Sequence, residues 1–201
     1  MLKTFVLVAI LVAALPTLTV AQDRDHKYEV GIRSGLITGR MELSSVDPAF
    51  DDLGFDGLKG PHISGFFLVY RVRPHLRIGV ETLVANSDQD AVTTMNYQAA
   101  GPVVGLSYGD SWFIAGGVHL GGLVVNAMTR QGPAPSEGAS LGSFYKGEGG
   151  FLAPYVDIGR RFRRHELGVF AKSVSIFGES DRGGLTDFSA RFVGVRYALG
   201  L

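Results

Sequence analysis

The sequence predicts an all-β fold, an eight-stranded antiparallel up-and-down β-barrel of the transmembrane type. Eight segments of about ten to fifteen residues alternate apolar residues with polar or small ones, which is the period of a β-strand. The connections between these segments alternate between short turns and long loops. The face opposite the apolar one combines small residues with charges of both signs, as expected for the interior of a narrow barrel.

The first 21 residues differ from the rest of the chain and predict a secretory signal peptide. Lys3 supplies a positive charge, residues 5–15 form an unbroken apolar run, and small residues stand three and one positions before the expected cleavage site, after Ala21. The alternative is a membrane-anchoring helix, but the run is short, because a helical span needs about 20 apolar residues. The predicted division is a signal peptide over 1–21 and an outer-membrane barrel domain over 22–201.

Composition excludes several classes of function. The chain of 201 residues has 19 basic and 19 acidic residues, so no charge excess indicates a nucleic-acid partner. It has no cysteine, which excludes disulfides, a thiolate metal site, a cysteine nucleophile and a lipoprotein anchor. After the signal peptide, no segment is apolar over the about 20 residues of a transmembrane helix, so a membrane form must be a barrel. We expect no cofactor, no metal site and no nucleic-acid partner.

The predicted strands share one pattern, in which every second residue is apolar and the residues between are small, polar or charged. In chain order, with apolar-face residues in parentheses, they are 27–41 (Tyr28, Val30, Ile32, Leu36), 62–72 (Phe66, Leu68, Tyr70), 75–86 (Leu76, Ile78, Val80, Val84), 96–108 (Pro102, Val104, Leu106, Tyr108), 111–126 (Trp112, Ile114, Val118, Leu120, Val124), 150–161 (Leu152, Val156, Ile158), 165–177 (Leu167, Val169, Ala171) and 187–200 (Val193, Val195, Tyr197, Leu199). The third is the clearest, because Arg77, Gly79 and Glu81 alternate strictly with its apolar residues.

The connections alternate in length. Tight turns are predicted at 73–74, 109–110 and 162–164. The other connections are longer and rich in Gly, Pro, Ser and Asp; they are 42–61, 87–95, 127–149 and 178–186. Short turns at one rim and long loops at the other are typical of outer-membrane barrels, in which the short turns are periplasmic and the long loops extracellular. An even number of strands places both ends of the barrel at the short-turn rim.

The second face distinguishes a membrane barrel from a soluble, lipocalin-like one. It is crowded with Gly and Ala, which suit a cramped interior, and its charges alternate in sign, as Glu29 does with Arg33 and Arg77 with Glu81. Residues two or four apart in a strand share a face, and buried charges are costly unless they are paired. We therefore predict a lumen ionic network of Glu29, Arg33, Arg77, Glu81, Asp157, Glu166, Lys172 and Arg196. The alternative is an ordinary solvated strand face.

Bulky residues complete the predicted lumen and the predicted membrane rim. The rings that should fill the lumen beside the network, leaving no wide diffusion pore, are Phe67, Tyr97, Phe113 and Tyr155. The residues that should form an aromatic girdle near the short-turn rim are Tyr28, Tyr108, Trp112 and Tyr197. Four arginines cluster at the same rim, where they either keep a turn soluble or meet phosphate head groups: Arg160, Arg161, Arg163 and Arg164.

The last strand resembles the C-terminal signal by which outer-membrane barrels are recognised for insertion. Gly194 is followed three residues later by the aromatic Tyr197 and two residues further on by the hydrophobic Leu199. The sequence departs from that signal at Phe192, where a polar residue is usual, and at Leu201, where Phe is common.

The predicted barrel as a whole resembles the broad family of small outer-membrane β-barrel domain proteins, which includes the outer-membrane protein A barrel and the opacity-type surface antigens. The resemblance implies a bacterial outer-membrane location, reached after signal-peptide export. It also implies partners: outer-membrane lipid and lipopolysaccharide, the barrel-insertion machinery, and a host or environmental ligand bound by the extracellular loops. Family members serve as structural proteins, adhesins, narrow pores and lipid-modifying enzymes, so the fold alone does not assign a function.

The leading functional hypothesis is a non-enzymatic outer-membrane protein with a structural or surface-interaction role and a side-chain-filled polar lumen. The alternatives are a narrow solute or ion channel gated by the charge pairs, a lipid A-modifying enzyme, and a secreted lipocalin-like binding protein. The enzyme alternative depends on His62 and Ser64, which share a face of the second predicted strand. Outer-membrane lipid A deacylases have a His-x-Ser-Asn motif and a Glu, whereas here Gly65 replaces the Asn and Glu81 is expected to point inward.

Two further features have ordinary explanations. His119 is a lone inward residue of the fifth predicted strand and is expected to be a hydrogen-bonded interior side chain. The acidic residues of the first long loop, Asp47, Asp51, Asp52 and Asp56 before Gly57, lack the spacing of a calcium-binding loop. They predict a solvated acidic loop.

Overall fold

The structure is a computed structural model that describes residues 26–38, 40–45, 53–56, 62–88, 93–129, 143–177 and 184–201. The predicted signal peptide, 1–21, lies outside these residues, as do Asp47, Asp51, Asp52 and Gly57 of the first long loop. Within the described ranges, no helix is long and apolar enough to cross a membrane.

The described residues form β-strands joined in one antiparallel sheet. The ten strands are β1 (Tyr28–Ile37), β2 (Arg40–Ser45), β3 (Leu53–Asp56), β4 (His62–Arg71), β5 (Leu76–Asp88), β6 (Thr93–Tyr108), β7 (Trp112–Thr129), β8 (Ser143–Phe162), β9 (His165–Phe177) and β10 (Leu185–Gly200). Strands β1 and β4 to β10 follow one another around the sheet, and β1 pairs with β10 to close it. The predicted closed, eight-stranded, antiparallel barrel is therefore confirmed.

The first long connection contains strands that the sequence pattern did not predict. β2 continues from β1 along the upper part of β10, with Glu42 opposite Ser189, and β3 pairs with β2. Leu43 is fully buried in this extension. Residues 40 and 41 belonged to the first predicted strand, 27–41, and 42–61 was predicted to be a loop. Each of the two strands has only two apolar residues at alternate positions, Met41 with Leu43 and Leu53 with Phe55, which is too short a pattern to predict a strand.

Several strands also run further into the long-loop rim than predicted. β7 continues to Thr129 and β8 begins at Ser143, and these two residues are opposite each other in the ladder. Backbone hydrogen bonds hold this extension together although its residues, such as Asn126 opposite Lys146, do not alternate in hydropathy. The prediction used side-chain alternation, which ends before the backbone pairing does.

The two faces of the barrel are distributed as the alternation predicted. The outward residues form an apolar belt of half-exposed side chains, among them Ile32, Phe66, Ile78, Val80, Val104, Leu106, Ile114, Ile158 and Val195. The aromatic residues Tyr28, Tyr108, Trp112 and Tyr197 are also exposed, close to the short turns. The inward residues are buried and include charged ones. A water-soluble barrel has the opposite distribution.

Glycines in the lumen provide space for its large side chains. A Cβ atom at Gly31 would overlap the ring of Phe67, and one at Gly105 would overlap the hydroxyl of Tyr155. Gly109 has a different role, because its φ of 94° suits the tight turn between β6 and β7. The many glycines of the inward face therefore allow a narrow barrel to hold aromatic rings.

Candidate functional site

The lumen is divided into two halves of different chemistry. The half towards the long loops is filled by buried apolar side chains from every part of the barrel wall: Ile37, Leu43, Ile63, Leu83, Tyr97, Leu123, Val125, Phe151, Phe170, Val174, Leu185, Phe188 and Phe192, with several alanines. The rings of Phe188 and Phe192 pack on Tyr97, with centroids 5.3 and 5.7 Å away. The half towards the short turns holds the charged residues. We call the first half the apolar plug.

The charged half begins at the short-turn rim with two carboxylates. Glu29 accepts hydrogen bonds from Arg71 at 2.6 Å and from Arg77 at 2.7 Å. Glu166 accepts one from Arg161 at 2.6 Å. Each carboxylate therefore lies between arginines from neighbouring strands, which offsets the desolvation cost of burying it.

Arg196 connects these rim pairs to the centre of the barrel. Its guanidinium lies 2.6 Å from Glu166, 3.2 Å from Glu29 and 3.4 Å from Asp157, and the residue is 1% exposed. It also lies over the rings of Phe67 and Phe113, at 4.9 and 5.3 Å from their centroids. One side chain thus joins three carboxylates from three strands.

The series of ion pairs continues upward to the apolar plug. Arg33 pairs with Asp157 at 2.8 Å and with Glu81 at 2.5 Å. Glu81 also accepts a hydrogen bond from Lys172 at 2.8 Å, and the Lys172 nitrogen lies 3.3 Å from Nδ1 of His119. The ring of His119 is fully buried and meets Phe151 edge-on, so the ion pairs end where the plug begins.

All eight residues predicted for the lumen network lie in this one series of contacts, and two more belong to it. We call the set the ion-pair chain: Glu29, Arg33, Arg71, Arg77, Glu81, Asp157, Arg161, Glu166, Lys172 and Arg196. Arg71 and Arg161 were not among the residues predicted for the network. Both have the parity of the inward face, since Arg71 is four residues from Phe67 and Arg161 four from Asp157. That parity was the signal that could have identified them.

The ion-pair chain leaves almost no free volume. A cavity of about 10 Å³ lies between Arg33, Arg77, Glu81 and Tyr155, which is roughly the space of one water molecule. The described residues include no cluster of three or more potential metal ligands. The ion-pair chain therefore keeps its charged side chains fixed in pairs within the lumen.

Of the two residues of the enzyme alternative, the structure describes the side chain of Ser64 only. Ser64 is exposed on the outward face of β4, opposite Ser34 of β1 and Val84 of β5. The side chain of His62 lies outside the described residues. Glu81 points into the lumen, as expected, and is bound there by Arg33 and Lys172.

The four rim arginines, which the sequence grouped together, lie in different environments. Arg160 is buried on the outer wall, with its guanidinium 5.7 Å from the ring of Trp112 and 5.2 Å from that of Phe162. Arg161 points into the lumen, where it binds Glu166, the hydroxyl of Ser107 and the carbonyl of Gly109. Only the pair in the turn, Arg163 and Arg164, is exposed. Of the two interpretations left open by the sequence, a solvated turn therefore applies to Arg163 and Arg164 but not to Arg160 and Arg161.

The residues of the predicted insertion signal lie on β10. Gly194 is opposite Gly35 of β1, where a Cβ atom would overlap the neighbouring backbone. Tyr197 faces outward, and its hydroxyl lies 2.7 Å from Nδ1 of His165. Leu199 is half-buried near the rim and is opposite Val30. Their role in insertion stays a prediction.

Comparison with known proteins identifies the fold. No protein-family model and no curated protein matches the chain. Among solved structures, Neisserial surface protein A superposes with a TM-score of 0.59 at 11% identity, over 87% of this chain and 97% of that protein. Ail, the attachment invasion locus protein of Yersinia pestis, in complex with the heparin analogue sucrose octasulfate, gives 0.52 at 9% identity, over 86% and 99%. The resemblance to the small eight-stranded outer-membrane barrels is thus confirmed for the fold.

Proposed function

We propose that this chain, which has the fold of the small eight-stranded outer-membrane barrels, is an integral outer-membrane protein with a structural or surface-interaction role. The observation that carries the proposal is the inverted polarity of the barrel. Charged side chains such as Arg196 and Glu81 are buried in the lumen, whereas large apolar ones such as Ile32 and Val80 are 55% exposed on the outside.

A lipid environment suits the apolar outer surface of this barrel. A continuous belt of exposed aliphatic residues in water would be strongly unfavourable and would promote aggregation. In a bilayer the same belt needs no cover, and a closed barrel leaves no unpaired strand edge in the hydrocarbon. The exposed Tyr28, Tyr108, Trp112 and Tyr197 near the short turns suit the boundary between lipid and water.

The orientation follows from the loops. In outer-membrane barrels short turns face the periplasm and long loops face the exterior. In this chain we assign the long connections, including the β2–β3 extension, to the cell surface. The proposal includes three kinds of contact. The loops would bind a host or environmental ligand, and the outer wall would contact lipopolysaccharide. The barrel-insertion machinery would recognise Gly194, Tyr197 and Leu199.

We propose no catalytic role. Among the described residues, the side chains that fill the lumen leave a cavity of only about 10 Å³ within the ion-pair chain, and Glu81, the acid of the enzyme alternative, is bound there by Arg33 and Lys172. A soluble lipocalin-like binder is also disfavoured. In such a barrel the apolar residues line an internal ligand cavity, whereas here they form the outer surface.

Cell fractionation tests the proposed location. With the full chain expressed in a Gram-negative host, we expect recovery in the outer-membrane fraction. We also expect faster gel migration of the unheated sample than of the boiled one, because a closed barrel stays folded in the detergent of the gel. Recovery in the soluble periplasm, with identical migration before and after boiling, would overturn the proposal.

Conductance separates the filled lumen from the channel alternative. In a planar bilayer we expect no steady single-channel openings, because the plug and the ion pairs leave a cavity of only about 10 Å³. A large porin inserted in the same bilayer is the positive control. Steady openings that disappear in Glu81→Gln or Arg77→Gln would contradict the filled lumen and favour a narrow channel gated by these charges.

A further inference from the structure

A cavity of about 360 Å³ lies at the short-turn rim, below the ion-pair chain. It is lined by the turns that join β4 to β5, β6 to β7 and β8 to β9, and by the residues before β1. We call it the turn-side vestibule. It is more than thirty times larger than the cavity among the ion pairs, of about 10 Å³, and none of the functions considered above uses it.

The vestibule is strongly cationic. Its basic lining residues are Lys27, Arg71, Arg73, Arg161, Arg163 and Arg164. Its acidic ones are Glu29, Asp110 and Glu166. Glu29 and Glu166 are at its inner end and are already bound by arginines of the ion-pair chain, Arg196 among them. Arg71 and Arg161 are among these partners, so the excess positive charge belongs to the exposed Lys27, Arg73, Arg163 and Arg164, against the one remaining acid, Asp110. An anion entering the vestibule would meet a favourable potential.

Unused hydrogen-bonding atoms line the same cavity. Arg71 donates through Nη2 to Glu29, but its Nε is buried and makes no hydrogen bond with the described residues. Nε2 of His26 is buried and unbonded in the same way. Both residues line the vestibule. Other buried atoms of the described residues, such as Nε of Arg33, share this state. The two atoms are therefore compatible with an acceptor-rich ligand, and the positive charge of the lining is what favours one.

We propose that the turn-side vestibule binds a phosphate-class oxyanion. The arginines of the turns, Arg73, Arg163 and Arg164, would bind the anion from the rim, and the guanidinium of Arg71 would add positive charge at the cavity wall. Guanidinium groups suit phosphate oxygens in both geometry and charge. The source is either a free phosphorylated solute or the headgroup of an anionic phospholipid. Placing this rim in the periplasm rests on the proposed function, whereas the binding itself does not.

Binding of inorganic pyrophosphate to the purified full chain tests the proposal. The protein is inserted in phosphatidylcholine nanodiscs, and binding is measured by calorimetry. We expect saturable binding that the triple variant Arg73→Gln, Arg163→Gln, Arg164→Gln weakens by about tenfold or more, because it removes three charge-assisted donors at once. These three side chains are exposed, so the variant is expected to fold, whereas Arg71→Gln also removes a partner of Glu29.

Arg191→Gln is the matched control, because Arg191 is an exposed arginine near the middle of β10 that does not line the vestibule. It should bind pyrophosphate as the unmodified chain does.

Nanodiscs that contain phosphatidylglycerol distinguish the two sources of the anion, a free solute and a lipid headgroup. Unchanged pyrophosphate binding supports a free solute, and binding lost to competition supports a lipid headgroup. The absence of saturable binding in phosphatidylcholine, or equal binding by the triple variant, would overturn the proposal. Insertion of the barrel into the nanodisc is checked independently of pyrophosphate binding. A protein that inserts but does not bind therefore overturns the binding proposal and leaves the outer-membrane proposal standing.

Discussion

Arg196→Ala is expected to destabilise the folded barrel by about 3–5 kcal/mol, the cost of breaking a buried charge cluster by removing one partner. Arg196 is the only described cation in contact with Glu29, Asp157 and Glu166 together. Its removal leaves three buried carboxylates with fewer compensating charges and opens a void beside Phe67 and Phe113. Both effects lower the free energy of unfolding.

Urea unfolding of the protein in detergent micelles measures this effect through the fluorescence of Trp112, the chain's single tryptophan. Arg191→Ala is the control, because this arginine lies on the same strand but is exposed, and exposed substitutions usually change stability by less than about 0.5 kcal/mol. If Arg196→Ala unfolds at the same urea concentration as Arg191→Ala, the ion-pair chain does not hold the barrel together.

The barrel wall could be predicted from sequence because its signal is local. Period-two alternation of apolar residues identifies a strand and both of its faces without knowledge of its neighbours, and strict alternation occurs in segments such as Leu76 to Glu81. The long-loop ends could not be predicted in this way. There the ladder between Thr129 and Ser143 depends on a partner strand, and β2 is stabilised by its pairing with β10.

The members of the lumen network could also be predicted, but their partners could not. Glu29 and Arg33 share a face of one strand, as do Arg77 and Glu81, so the sequence placed opposite charges in one lumen without assigning their partners. Residues four apart in a strand are separated by about 13 Å, so their side chains share a face without meeting directly. In the structure the pairs cross between strands, Arg77 with Glu29 and Arg33 with Glu81. These contacts depend on how the strands are staggered around the barrel, which no single segment encodes.

Val80→Arg is expected to destabilise the barrel in phospholipid vesicles by about 2–4 kcal/mol, the cost of an arginine at the lipid-facing midplane of a barrel. Val80 is 55% exposed in the middle of the apolar belt, between Leu68 of β4 and Pro102 of β6. The side chain makes few internal contacts, so the predicted loss comes from the lipid that surrounds the barrel and not from disturbed packing.

Val72→Arg is the matched control for this substitution. Val72 is exposed in the short turn between β4 and β5, where an arginine would reach water at a cost of about 0–1 kcal/mol. Both variants would be unfolded by urea from vesicles, with Trp112 as the probe. For a soluble barrel Val80 would be a surface position, and the two arginines would have the same small effect. Equal stabilities of Val80→Arg and Val72→Arg would therefore contradict the membrane assignment, whereas a difference near the full cost at the midplane would locate Val80 in the hydrocarbon core.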